Sequence, residues 1–348
     1  DDTLALQKAL DVCDQSGLIL HLGTGRYKIS KGLTAEGRFG GITCSNSSAG
    51  LYPTGSGYTA LTIGLPVPKL NSDPNYSFRT NTLDVAVFGT GNQVNGILLN
   101  SPAQSNIQRL HAFNLDGFGV HIDRCWNSII QLISTERCGN AGYYAVVLRG
   151  APTASKLSDY VASIGSEINR IHVLKIEAEL SKEKSIYIGH MGICNMFDAI
   201  HSERASSTID APTWVLGGST CLYNNVELQA DTPNNCTAHI SASASVFTIL
   251  RFDGIHAHFE SWGKRNPDIE EEYTLTINQG NFVEGASRVT IAQDAEAQQW
   301  LEFNSCTFKE LTSHAGRIRV NNSRIHLLTL DWANADTNLY TNCLIDLL

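Results

Sequence analysis

The sequence predicts an all-β solenoid, a parallel β-helix entered through one N-terminal capping α-helix. Three observations lead there. The first thirty residues read as helix, strand, turn, strand. From about residue 83 onward, short strand-like runs are separated by Gly, Asn and Ser turns, and no later segment makes a long helix. A short phrase also returns at roughly the 20–30 residue period of a solenoid coil.

The helix comes first. Leu4, Leu6, Ala9, Leu10 and Cys13 recur at helical spacing, and Gly17 closes the run. Placed here, a helix covers the apolar layer that the open end of a solenoid exposes. Leu18-Ile19-Leu20-His21-Leu22 reads as a strand, Gly23-Thr24-Gly25 as a turn and Tyr27-Lys28-Ile29 as another strand. Residues 1–30 are thus the cap and first strands, and 31–348 the parallel β-helix with loop insertions.

The repeats follow. Ser105-Asn106-Ile107-Gln108-Arg109-Leu110 recurs as Trp126-Asn127-Ser128-Ile129-Ile130-Gln131-Leu132, which aligns Ile107 with Ile129, 22 residues on. Near the end, Asn304-Ser305-Cys306, Asn321-Asn322-Ser323 and Thr341-Asn342-Cys343 each lie between a pair of strands, in steps of 17 (306 to 323) and 20 (323 to 343). Constant strands with variable steps describe a coil carrying loops of different length. The stretch 151–185 is more polar and reads as a solvated loop bulging from the coil, with the wall of a binding groove as the functional alternative. A β-sandwich also has many short strands, but its hairpins need turn signals, and Asn-Gly appears only once, at Asn95-Gly96.

Composition narrows the class. Charged residues make up 17% of the chain, below the quarter or so usual in globular proteins. The net charge of −9 argues against a nucleic-acid or anionic-membrane partner, since both select a basic face. No apolar run reaches the length of a membrane span. The 9 cysteines show no CxxC or zinc spacing, and most sit in strand-like runs where a reduced thiol acts as a small core residue. The Asp1-Asp2-Thr3 start is neither an initiator methionine nor a signal peptide, and reads as the start of an excised piece.

The opening Asp1-Asp2-Thr3-Leu4 through Leu10, with Gly23-Thr24-Gly25-Arg26-Tyr27-Lys28-Ile29, resembles that of pectate-lyase-like right-handed β-helix proteins. Leu22 stands where that superfamily usually has proline. Phe252-Asp253-Gly254-Ile255-His256-Ala257-His258-Phe259-Glu260 resembles a strand of phage tailspike glycosidases and depolymerases. The catalytic arginine and calcium-binding aspartates of true pectate lyases do not stand out. The resemblance implies a virion protein of the phage tail, acting outside the cell at the host surface on a capsule, exopolysaccharide or O-antigen, with coils side by side in a homotrimer.

Alternation along strands nominates a site. Three rungs align on Ile200, Val226 and Ile255. Their outward sets are His201 and Glu203; Glu227, Gln229 and Asp231; and His256, His258 and Glu260. With rungs about 4.8 Å apart and a two-residue step of about 6.6 Å, Glu203 and Glu227 have backbones about 8 Å apart. That lies within the roughly 6.5–9.5 Å separation of inverting glycosidases. Asp231 and Glu260 align at about 5 Å, close enough to raise one carboxyl's pKa. Outward polar residues are also the default of any solvated sheet face, so a His–Glu ladder that only pairs charges is the plain alternative.

Trp262, Arg265, Gln229 and Trp214 are the candidate substrate-binding residues, rings stacking on sugars and arginine gripping carboxylates. No metal site and no cofactor is expected, because His256 and His258 lack a third ligand at fixed spacing. The expected activity is an endo-acting hydrolase using paired carboxylates. A lyase on a uronate polymer, with His201, His256 or His258 as base, and a non-catalytic glycan-binding spike are the alternatives.

Overall fold

The computed structural model describes residues 1–38, 40–65, 78–80, 82–150, 168–189, 195–203, 212–230, 236–261, 274–282, 288–293, 301–313, 318–330 and 339–347. The chain is a right-handed parallel β-helix: one N-terminal helix leads into a long, all-parallel sheet wound into coils. Helix Thr3–Ser16 buries Leu6, Leu10 and Cys13, and Gly17 ends it in the left-handed conformation at φ 68. Leu4 faces solvent, 78% exposed. Asp2 accepts a bond from the Lys28 amide, and Asp14 from the amides of Glu36, Gly37 and Arg38. These bonds pin both ends of the cap to the first coils. Tyr27 of the Gly-x-Gly-x-Tyr turn accepts from the Gly23 amide at 3.0 Å.

Each coil contributes strands to three faces, here called A, B and C. On face A the inward column runs Leu20, Ile42, Leu83, Ile107, Ile130, Val173, Phe197, Tyr223, Phe247, Ile277, Phe303, Val320 and Tyr340. Identical positions on successive coils lie in register, so like stacks on like. Phe197, Tyr223 and Phe247 are parallel rings with centroids 4.8 and 4.3 Å apart. Leu110, Ile133, Ile176, Ile200, Val226 and Leu250 form the matching column on face B. Face C is filled by Leu61, Ile97, Val120, Val146, Ile186, Trp214, Ala238 and Ala257.

The Ser and Asn bends have one physical job. Where the chain turns a corner, an inward backbone N–H loses its ladder partner and must be satisfied some other way. Ser105 accepts from the Thr80 amide, Ser128 from Ser105, Asn195 from Ile171, and Ser323 from Cys306, at 3.0–3.1 Å. The residue before each such corner is often left-handed, as at Gln104, Asn127, Arg170, Ser305 and Asn322. At the corner between faces A and B, amides bond along the axis: Asn224 to Asp198, Asn304 to Asn278, and Asn321 to Asn304.

The terminal steps of 17 and 20 match the ladder, in which Thr307 pairs with Arg324 and Arg324 with Leu344. Two other expectations are corrected. Ile107 pairs with Ile130, not Ile129, because the corner holds one more residue than the phrase match allowed. That slip turns Ile129 outward, 47% exposed. Within 151–185, Ile176–Glu179 is a strand of the coil rather than a solvated bulge, with Ile176 and Ala178 fully buried; residues 151–167 lie outside the described ones. Among the described residues, seven cysteines are buried thiols outside any disulfide and Cys343 is half-buried. Burial pushes Cys125, Cys138 and Cys306 up to about 12.

Ser128→Ala leaves the buried Ser105 amide without its acceptor, and is expected to cost about 1–3 kcal/mol in urea unfolding. Thr248→Ala, which loses only a half-buried corner bond of 3.4 Å, should stay within about 0.5 kcal/mol of wild type. Equal effects at the two positions would refute the corner-capping role.

Candidate active site on face B

The outer side of face B is written in a repeated tetrapeptide. Leu110-His111-Ala112-Phe113, Ile133-Ser134-Thr135-Glu136, Ile176-Glu177-Ala178-Glu179, Ile200-His201-Ser202-Glu203, Val226-Glu227-Leu228-Gln229 and Leu250-Arg251-Phe252-Asp253 occupy successive rungs in register. First and third positions point into the core, so second and fourth form two outward columns. One reads His111, Ser134, Glu177, His201, Glu227, Arg251. The other reads Phe113, Glu136, Glu179, Glu203, Gln229, Asp253.

The expected pairing of the first two rungs is present. His201 is the register partner of Glu227 and Ser202 of Leu228, which sets Glu203 diagonally from Glu227. His201 Nδ1 lies 3.3 Å from Glu227 Oε2, and Gln229 Nε2 donates to Oε1 at 2.8 Å. Arg251 Nη1 stands 3.7 Å from the same Oε1. Glu227 is therefore held at both oxygens and half-buried, whereas Glu203 is exposed. One carboxyl is held by its neighbours and the carboxyl diagonal to it faces solvent.

The third rung is not where the anchor residues put it. Val226 is followed on face B by Leu250, and Glu227 by Arg251. His256, His258 and Glu260 belong to face C, where His258 pairs with His239 and Thr290, and Glu260 with Ser241 and Ala292. Ala257 and Phe259 do face inward, so the alternation holds and only the face differs. The cause is the bend at Gly254. A Cβ there would meet the Phe252 ring at 2.6 Å and the Cys236 carbonyl at 2.8 Å, and beyond it the chain has turned onto the next face. His239, His256 and His258 form their own patch, with ring centroids 5.0 and 6.3 Å apart. His256 Nε2 lies 2.7 Å from Thr290 Oγ1, and burial followed by the Arg288 charge lowers its pKa.

Trp214 is no sugar platform. It is fully buried, its indole N–H donates to Ser202 Oγ at 2.8 Å, and it meets Phe252 edge-on. It thereby props the inside of the Glu203 rung from across the core. Asp231, Trp262 and Arg265 lie outside the described residues, as does the side chain of Glu260. The strand partners of Glu260 are Ser241 and Ala292.

Glu136, Glu177 and Glu179 extend the carboxylate columns, and alternation on three rungs alone did not reach them. Glu179 is the register partner of both Glu136 and Glu203. The signal was legible: Ile176-Glu177-Ala178-Glu179 has the same form as Ile200-His201-Ser202-Glu203. A second cluster was also missed. Asp123, on face C, accepts from Arg149 Nε at 2.9 Å and lies 3.4 Å from His121 Nε2. Burial works to raise its pKa, but His121 and Arg149 outweigh that and hold it below the usual carboxylate range.

Among the described residues, no group of three or more His, Cys, Asp or Glu converges as a metal ion requires. In comparisons with protein-family models, curated proteins and solved structures, the chain matches none.

His111 closes the upper end of the first column. Burial, then the charges of Arg109 and Arg26, push its pKa down to about 4. A histidine whose folded pKa is below its unfolded value stabilises the fold above the unfolded pKa, and that contribution is lost as pH falls toward the folded one. His111 should therefore stay neutral at pH 5 by NMR titration, with stability falling as the pH drops from about 6.5 to about 4. His111→Asn should reduce that fall, and an NMR midpoint near 6.5 would refute it.

Proposed function

We propose that this chain is a tailspike-type depolymerase of the pectate-lyase-like β-helix class, an endo-acting hydrolase of a bacterial surface polysaccharide. The observation that carries the reading is the face-B register, which sets exposed Glu203 diagonally across from the doubly held Glu227. At rung and residue spacing their backbones stand about 8 Å apart. That leaves room for a water beneath the glycosidic bond, as an inverting pair needs.

In this mechanism Glu203 is the general acid, donating a proton to the leaving oxygen. Glu227 is the base, taking a proton from the attacking water. His201 and Gln229 position Glu227, and both are within contact distance of its oxygens. An open face built of repeated rungs suits a polymer bound along its length and cut internally. The proposal places the protein on the phage tail, in a homotrimer, acting at the host surface.

The test is digestion of a panel of capsular and O-antigen polysaccharides by wild type, Glu203→Gln and Glu227→Gln. Short oligosaccharides from wild type are expected, with losses of about a hundredfold or more in each variant. The new reducing ends should carry inverted configuration by NMR. Retained configuration would instead implicate Glu179 and Glu203, direct register partners at the closer spacing of retaining pairs. Products absorbing as unsaturated uronates would make the reaction an elimination with His201 as base. Binding without products, or variants as active as wild type, would overturn the carboxylate mechanism.

A further inference from the structure

The outer face that carries the carboxylates changes character toward the N-terminal end. Its side column, followed upward from Glu203 through Glu179 and Glu136, continues as Phe113 and Phe88. Pairing of Leu51 with Val87 then sets Tyr52 next to Phe88, and Lys28 pairs with Tyr52. Three aromatic rings thus precede three carboxylates in one line.

Cations lie among those rings. Arg26 belongs to the rung two above Phe88, yet its guanidinium lies 4.1 Å from the Phe88 ring centroid. The rung between presents Gly50 in the Arg26 column, where even a Cβ would meet Ala86 backbone at 2.3 Å. With no side chain there, Arg26 can lie flat along the face. Arg137 stands 5.9 Å from the Phe113 centroid, and Arg109 reaches Asp84 at 2.7 Å and the Asn46 carbonyl at 3.3 Å. Arg26, Lys28, Arg109 and Arg137 face Asp84 and, through Arg137 at 3.7 Å, Glu136. His111 sits among them, its pKa pushed down first by burial and then by the charges of Arg109 and Arg26.

From Glu136 onward the sign reverses. Glu177, Glu179, Glu203, Glu227 and Asp253 face outward against Lys175 and Arg251. A uniform polyanion laid along this face would be repelled by that end, and a neutral polymer would leave the cationic end unanswered.

We propose that the Arg26–Phe88–Phe113–Arg137 end is a subsite for an anionic sugar residue, which makes the substrate an acidic heteropolysaccharide with neutral residues between its charges. The inference rests on the glycan-cleaving reading above. The half-buried Phe113 ring takes the apolar face of the sugar, and the guanidiniums take its carboxylate, with Phe88, 5% exposed beneath Arg26, serving only to seat that guanidinium. His111 and His201 are three rungs apart, about 14 Å along the axis. The bond that is cut therefore lies a fixed few residues from the charged sugar.

Binding separates this inference from the catalytic one. The probes are bacterial polysaccharides of known repeat, neutral and uronate-containing, with each uronate member also in carboxyl-reduced form. Affinity is measured for wild type, Glu203→Gln and the double variant Arg26→Gln/Arg137→Gln, whose melting temperature should match wild type because both arginines are exposed. The expected result is selective binding of uronate polymers. Carboxyl reduction or the arginine double variant should weaken it about tenfold or more. Added salt should do so progressively, and Glu203→Gln should bind as wild type does. Equal affinity for carboxyl-reduced polymer, or an arginine double variant with unchanged affinity, would overturn the subsite. Uronate binding without cleavage would sink the hydrolase reading and leave the subsite standing. Cleavage of a neutral polymer, indifferent to the arginines, would do the reverse. No binding to any probe would overturn both.

Discussion

The backbone ladder between successive coils is the constraint on which everything else depends. In a parallel stack each residue meets the residue at the same position one coil away, and meets it again on the coil after. Whatever occupies a column must therefore tolerate its own kind as a neighbour. Aliphatic and aromatic side chains do so inside, as the Phe197–Tyr223–Phe247 rings show. Amides do so at the corner, because each Asn both donates and accepts. The serine caps obey the same rule, each satisfying an amide of the coil before it.

Carboxylates do not tolerate it. Like charges directly opposite on neighbouring strands are destabilising, yet Glu136, Glu179 and Glu203 fill three consecutive rungs of one column. A column selected for stability alone would alternate charge, as the neighbouring His201–Glu227–Arg251 run nearly does. Retaining three acids in line runs against the local rule, and such departures concentrate at functional sites. The ladder that makes this costly also makes it accurate. Side chains on rigid, registered strands keep their spacing better than side chains on loops.

The two ends of face B differ in chemistry. The upper rungs offer rings and guanidiniums with few acids, and the lower rungs offer acids with few cations. Trp214 and Ser202 join the inside of the Glu203 rung to face C across the core. The Glu203 strand is thereby braced from behind by a residue that touches no solvent.

Much of the fold was legible in the sequence. Helical spacing and Gly17 marked the cap, and alternation told inward from outward residues, correctly even in Ala257 and Phe259. The Asn and Ser bends marked the corners because those residues satisfy stray amides and accept left-handed backbone. The match of Ile200 with Val226 survived, and the Glu203–Glu227 diagonal with it. What the sequence could not decide was which face a strand joins. Periodicity records only inside and outside, and is the same on all three faces. The number of residues spent at each corner sets the face, and that number varies from coil to coil. One residue more than expected moved Ile129 to the surface, and the Gly254 bend carried His256 and His258 away from Glu227. Tertiary structure alone decided those placements, because only the closed coil determines which backbone groups meet.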